Sequence, residues 1–227
     1  MEIPVPVVVG VATLMTAAGY CVGYYSELRK QIKQTRLTIS QTKNKDITDL
    51  LPAELFEDAD AFHFLHEQHA IAVPGYRVQQ DDMQQDFTRL LRRNMLINRH
   101  MPQTWIFWFL LRTPEQRRTF TKQHLACLNF TPDDVICGIF RVVRREPSEV
   151  VMRMVPPPSM AAISGLLVVR LRDELLVSEV VQWMPKSAGK GPPIERGVGR
   201  FLHQVAAWWI LAEGKKFLLS LRTGEKR

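Results

Sequence analysis

Motifs that would announce a chemistry are missing from this chain. No Gly-x-Ser-x-Gly elbow is present, and Gly189-Lys190-Gly191 and Gly197-Val198-Gly199 have neither the flanking strand nor the spacing of a phosphate-cradling loop. Nucleotide and flavin cofactors are therefore not expected, and the cofactor reading is none. Cysteine is scarce. Cys21 falls in an apolar stretch, while Cys127 and Cys137 stand alone, which excludes a disulfide framework and suits a reducing compartment. Charge is absent altogether between Ile3 and Ser26, and from that absence comes the first positive statement.

The uncharged stretch from Val5 to Tyr25 is long enough, at about 1.5 Å per helical residue, to cross a hydrocarbon core of roughly 30 Å. Pro4 and Pro6 stand at its first turn, where missing amide donors cost least. Tyr20, Tyr24 and Tyr25 cluster toward its far end, and Arg29, Lys30, Lys33 and Arg36 follow at once. The positive-inside bias then puts residues from about 29 onward in the cytosol. A cleaved signal peptide would carry a basic start that is not here. The expectation is a single-pass anchor over 1–28, in which the GxxxG spacing of Gly19 and Gly23 could pair two copies as a homodimer.

A basic polar linker, 29–45, then leads to about 180 residues, enough for one compact domain over 46–227. The net charge of +7 is concentrated partly beside the anchor, which suits an anionic leaflet better than a nucleic-acid groove. Arg89, Arg92, Arg93 and Arg99 are balanced by Asp81, Asp82 and Asp86, with no aromatic-and-basic recognition module beside them. Nucleic acid is not an expected partner.

Helices come first along the domain. Leu50, Leu51, Leu55 and Phe56 allow a short one, and Val73-Pro74-Gly75-Tyr76 is a turn. Between Asp81 and His100, Met83, Phe87, Leu90, Leu91, Asn94 and Ile97 recur at helical spacing. The run from Trp105 to Leu111 is apolar all round and too short to cross a bilayer; it is either a buried helix or a patch dipping into the membrane interface. Thr113-Pro114-Glu115-Gln116 has the parts of a capping box and opens a helix predicted to reach about Asn129. From Val135 the pattern is strand-like. Two hairpins are predicted, 136–145 with 149–155 and 166–171 with 175–183, separated by Pro156-Pro157-Pro158. A long helix from about Ile194 closes the chain, with Val198, Phe201, Leu202, Val205, Trp208, Trp209 and Ala212 as its apolar stripe.

Helices, an antiparallel sheet of at least four strands and a long final helix make an α+β domain with helices on one face of the sheet. The order is like that of two cone-shaped architectures, the nuclear-transport-factor-like fold and the helix-grip fold of START-type lipid carriers, an analogy that leaves function open. In its general layout of apolar anchor and small domain, the chain also resembles membrane-anchored tailoring proteins of filamentous-fungal secondary-metabolite clusters. No motif carries that likeness, and no residue role comes with it. The resemblance implies a terpenoid or polyketide intermediate met at the endoplasmic-reticulum surface, by a domain facing the cytosol. The expected function is a cofactor-independent enzyme of cyclase or isomerase type, pericyclic chemistry included, acting on a hydrophobic small molecule. The alternative is a non-catalytic lipid or hydrophobic-molecule carrier, or an assembly subunit for membrane enzymes.

Two residues are candidates for catalysis. Glu179 interrupts an apolar strand face made by Leu175, Val177, Val181 and Trp183, a setting that raises a carboxyl group toward neutral titration. His203 lies on the closing helix, eight residues after Glu195, and both could border a cavity mouth. Trp183, Phe201 and Trp105 are the candidate substrate-binding side chains. His63, His66 and His69 form the densest group of potential ligands, but their spacing suits neither helix nor strand: on a strand His66 faces away from the other two. No metal is expected there, and an acid/base pair of histidines stays open.

Overall fold

The computed structural model describes residues 23–42, 45–76, 80–111, 113–172 and 174–222. Most of the segment expected to be an anchor, Gly19 included, lies outside them. The described chain begins within a helix, α1, that runs through 23–31 and leaves Gly23 exposed. Among the described residues no helix is long and apolar enough to cross a membrane.

The next residue already belongs to the sheet. β1 (Ile32–Leu37) pairs antiparallel with β2 (Phe62–Ala72) over its whole length, so the stretch expected to be a linker holds an edge strand, followed by a 3-10 turn, Ile39–Gln41. Its composition hides it. Lys33, Thr35 and Arg36 are the kind of polar side chains with which edge strands are blunted, and they mask the buried Ile32.

Seven strands form one antiparallel sheet in the order β1-β2-β7-β6-β5-β4-β3. The remaining strands are β3 (Val135–Ile136), β4 (Phe140–Glu146), β5 (Glu149–Met154), β6 (Ser164–Arg172) and β7 (Leu175–Pro185). Both predicted hairpins are present, as β4 with β5 and β6 with β7. Inside the edge strand β1, strands β2 and β7 pair along 11 residues each. The α+β expectation holds, with helices on both faces of the sheet rather than one.

On one face lie α4 (Gln80–Asn98), α5 (Pro102–Leu110) and α8 (Gly197–Arg222). Phe87, Leu90, Leu91, Trp208 and Leu211 pack there with Ile71, Met152, Val169 and Leu176 of the sheet. The other face is covered by α2 (Lys45–Thr48) and α3 (Glu54–Glu57), through Ile47, Leu51 and Leu55 against Val151, Leu166, Val168, Val181 and Trp183. Strand alternation assigns each side chain to one layer or the other.

Two helical expectations are corrected. The capping box at Thr113 forms, with Thr113 accepting from the Gln116 amide, but α6 (Pro114–Arg118) is short. Thr121 then caps a separate α7 (Lys122–Cys127) by accepting from the His124 amide. A second capping threonine competes with the helix it would otherwise sit inside. On α8 the buried set is Ala206, Trp208, Leu211, Ala212 and Leu218, whereas Val198, Phe201 and Trp209 of the predicted stripe are exposed.

Candidate functional site

Alternation along β2 sorts its histidines as a strand must. His66 faces the α2 and α3 layer together with Glu179 and Trp183, because His66 stands opposite Val181 and Gln68 opposite Glu179 in the register. His66 Nε2 is 2.5 Å from Glu179 Oε1, and His66 Nδ1 is 2.8 Å from the Thr42 hydroxyl. Arg170 Nη1 lies 3.0 Å from Glu179 Oε2, and its Nε lies 2.9 Å from Glu149 Oε2. Arg144 reaches Glu149 Oε1 at 3.0 Å. This largely buried row crosses five strands and ends at Thr42, whose hydroxyl also donates to the Thr38 carbonyl at 3.0 Å. It clamps the 3-10 turn to the sheet. Its carboxylates face opposite charges, as buried charges must to offset desolvation.

The opposite face is different. Glu67 is buried, and its Oε1 accepts from Gln34 Nε2 at 2.5 Å and Arg36 Nε at 2.9 Å. Its Oε2 lies 3.8 Å from His69 Nε2 and 3.9 Å from His203 Nε2. His69 follows two residues along the same strand face, and His203 comes from α8. Their ring centroids are 6.4 Å apart. Among the described residues neither nitrogen of His69 has a hydrogen-bond partner, nor have His203 Nε2 and Trp208 Nε1. Two imidazoles therefore bracket one carboxylate oxygen at a spacing too long for a direct hydrogen bond. Buried polar atoms left open in this way call for an explanation, and a catalytic role is one.

Electrostatics set the protonation. Burial works to raise Glu67, but the Arg36 hydrogen bond, the charges of His69 and Arg36 and the Gln34 bond together hold its carboxyl below the usual carboxylate range. Burial lowers His69 to about 4, with Glu67 opposing and His203 and Arg36 adding to the fall. Burial likewise lowers His203, against the pull of Glu67. At neutral pH the site holds one carboxylate and two uncharged imidazoles, the protonation state of a general base with its stabilising anion beside it.

Aromatic rings connect this site to the surface. His69 meets the edge of Trp208 at 6.5 Å, and Tyr25 of α1 stacks on Trp208 at 5.2 Å and meets the exposed Phe201 at a tilt at 5.8 Å. On its polar rim, Gln204 donates to Gln34 Oε1 at 2.6 Å. Among the described residues no group of three His, Cys, Asp or Glu side chains is arranged to hold a metal ion. A polar cleft of about 360 Å³ lies elsewhere, lined by residues that include Arg118, His124, Cys127 and Asp134.

The structure does not bring the two catalytic candidates together. Glu179 faces one layer of the sheet and His203 packs in the other. Trp183 is buried in the Glu179 layer, Phe201 stands at the outer end of the aromatic run toward His69, and Trp105 is exposed on α5. Glu195 sits beside His63 around Gly191. Glu67 is the residue that sequence reasoning passed over, and His69 was singled out there only as one of three histidines for which an acid/base pair stayed open. The Glu-x-His alternation on a strand was the available signal, and it needed β2 to be recognised as one. Comparison with family models, with curated proteins and with solved structures gives no match, so the assignment rests on the arrangement of these side chains.

Proposed function

We propose that this protein is a membrane-anchored, cofactor-independent enzyme of the cyclase or isomerase type, acting on a lipophilic terpenoid or polyketide intermediate at Glu67, His69 and His203. The observation that carries this reading is the pair of imidazoles, His69 buried and His203 half-buried, with open nitrogens on either side of one carboxylate oxygen. His69, uncharged at neutral pH, accepts a proton from an acidified carbon of the substrate, and Glu67 stabilises the imidazolium that forms. The electron pair released moves into the adjacent unsaturated system, the proton taken by His69 passes by way of Glu67 Oε2 to His203, and His203 delivers it at the other end, which returns both imidazoles to the uncharged state. Nothing is gained or lost overall, so product and substrate are isomers.

Several features support a greasy substrate. The run from Phe201 through Tyr25 to Trp208 offers ring faces from the surface to the site, and its middle ring stands on the helix that follows the uncharged amino-terminal stretch. A single-pass anchor over 1–28 at the endoplasmic reticulum, with the domain in the cytosol, belongs to the same proposal, as does a cone-like wrapping of the sheet around α8, which lies against β2 and β7.

The test is a comparison of metabolite extracts from cells lacking the gene, cells restored with the full chain, and cells restored with His203→Gln or Glu67→Gln. The expected result is a missing product and an accumulated compound of equal mass, with both variants matching the deletion while the chain is still present in membranes. Unequal masses would exclude an isomerisation. Full restoration by both variants would exclude this site, and restoration by them but not by an altered Phe201 would favour a carrier.

A further inference from the structure

Helices that pack on a core turn their apolar side chains inward, and α5 does the reverse. Thr104 and Leu111 are buried and Phe107 half-buried, so the face laid on the domain includes a polar threonine. Outside, Trp105, Ile106, Trp108 and Phe109 are 54%, 55%, 38% and 71% exposed. At 3.6 residues per turn these four positions share an arc of about 160°. A continuous exposed stripe of two tryptophans, an isoleucine and a phenylalanine is a contact surface, not scattered surface apolarity.

Charge identifies what covers it. Arg99 and His100 precede the helix, and the exposed Arg117 and Arg118 follow it, against the single acid Glu115. The Arg117 guanidinium lies over the Trp108 ring at 4.9 Å. Tryptophans bracketed by cations match the boundary between acyl chains and anionic headgroups. The nine residues of α5 span about 13 Å, too short to cross a bilayer and suited to lying in its interface. Both α5 and α1 pack on α8, so this stripe and the helix leading out of the uncharged stretch are fixed to one element.

We infer that α5 is a second, interfacial contact with an anionic lipid bilayer, inserting Trp105, Ile106, Trp108 and Phe109 to the depth of the acyl boundary while Arg117 and Arg118 meet the headgroups. The contact is independent of the acid/base reading and holds equally for a carrier.

The test uses the full chain with Cys21 and Cys127 replaced by serine, carrying Phe109→Cys or Trp105→Cys labelled with an environment-sensitive fluorophore. Glu57→Cys, on α3 in the opposite layer, is the reference. Each is reconstituted in vesicles of phosphatidylcholine, with or without phosphatidylserine, whose acyl chains are brominated. The labels at 105 and 109 should be quenched about twofold or more, further with phosphatidylserine and less in high salt, while the label at 57 changes little. Equal quenching at all three positions, or none at 105 and 109, would overturn the inference. Crosslinking between copies at 109 in place of quenching would also overturn it and assign the face to a second copy. Either probe suffices if the other variant does not fold.

Discussion

His203 Nε2 and Glu67 Oε2 stand 3.9 Å apart across the seam between α8 and β2. That is beyond hydrogen-bond reach but well inside the range where a buried charge governs its neighbour's protonation. Replacing Glu67 with glutamine removes the one influence that raises both histidines. Their imidazole titrations, followed by NMR, should both move to lower pH, His69 from its value of about 4. The fold should lose about 1–3 kcal/mol by urea titration, since Arg36 is partly exposed and regains water when its partner is neutralised.

Acid should weaken the native protein in a defined window. His69 titrates at about 4 when folded and near 6.5 when unfolded, so between those values the unfolded chain binds a proton that the folded chain refuses. Stability therefore falls as pH drops from about 6.5 toward 4 and is insensitive to this group above 6.5. His203 acts in the same direction. Glu67, lowered by folding, adds its own loss below its ordinary 4.5. Urea midpoints measured from pH 7.5 down to 4.5 should show the slope, and His69→Gln should flatten it.

On the far face Glu179 pairs with both His66 and Arg170. Glu179→Gln leaves His66 and Arg170 buried against a neutral amide, and a loss of about 3 kcal/mol or more is expected. The titration of His203, in the other layer, should not move. A shift there would mean the two faces are coupled in a way this arrangement does not provide.

Trp183 and Phe201 should separate stability from turnover. Trp183→Ala empties the layer held by Ile47, Leu51 and Leu55 and should cost about 3–5 kcal/mol in chemical denaturation. Phe201→Ala removes an exposed ring whose packing partner is Tyr25, with an expected cost of about 1 kcal/mol. If Phe201 guides the substrate, metabolite profiles should record its loss while denaturation barely does.

Alternation made the face of Glu179 legible, because β7 repeats every two residues without interruption. It could not make the partner of that carboxylate legible, since His66 arrives from a strand more than a hundred residues earlier. β2 itself was hidden by composition: three histidines and a glutamate on an 11-residue strand paired on both sides break the apolar pattern by which buried strands are known. For α5, periodicity has nothing to say. An all-apolar run looks the same whether protein or lipid surrounds it, and only the three-dimensional arrangement separates Thr104, turned in, from Phe109, turned out.

The sheet starts at Ile32, immediately after the helix that ends at 31. With no intervening slack there is no swivel. Leu28 and Tyr25 pin that same helix to the core, so α1 and the sheet turn as one body, and a few flexible residues added at the junction should leave their mutual pose held by packing alone.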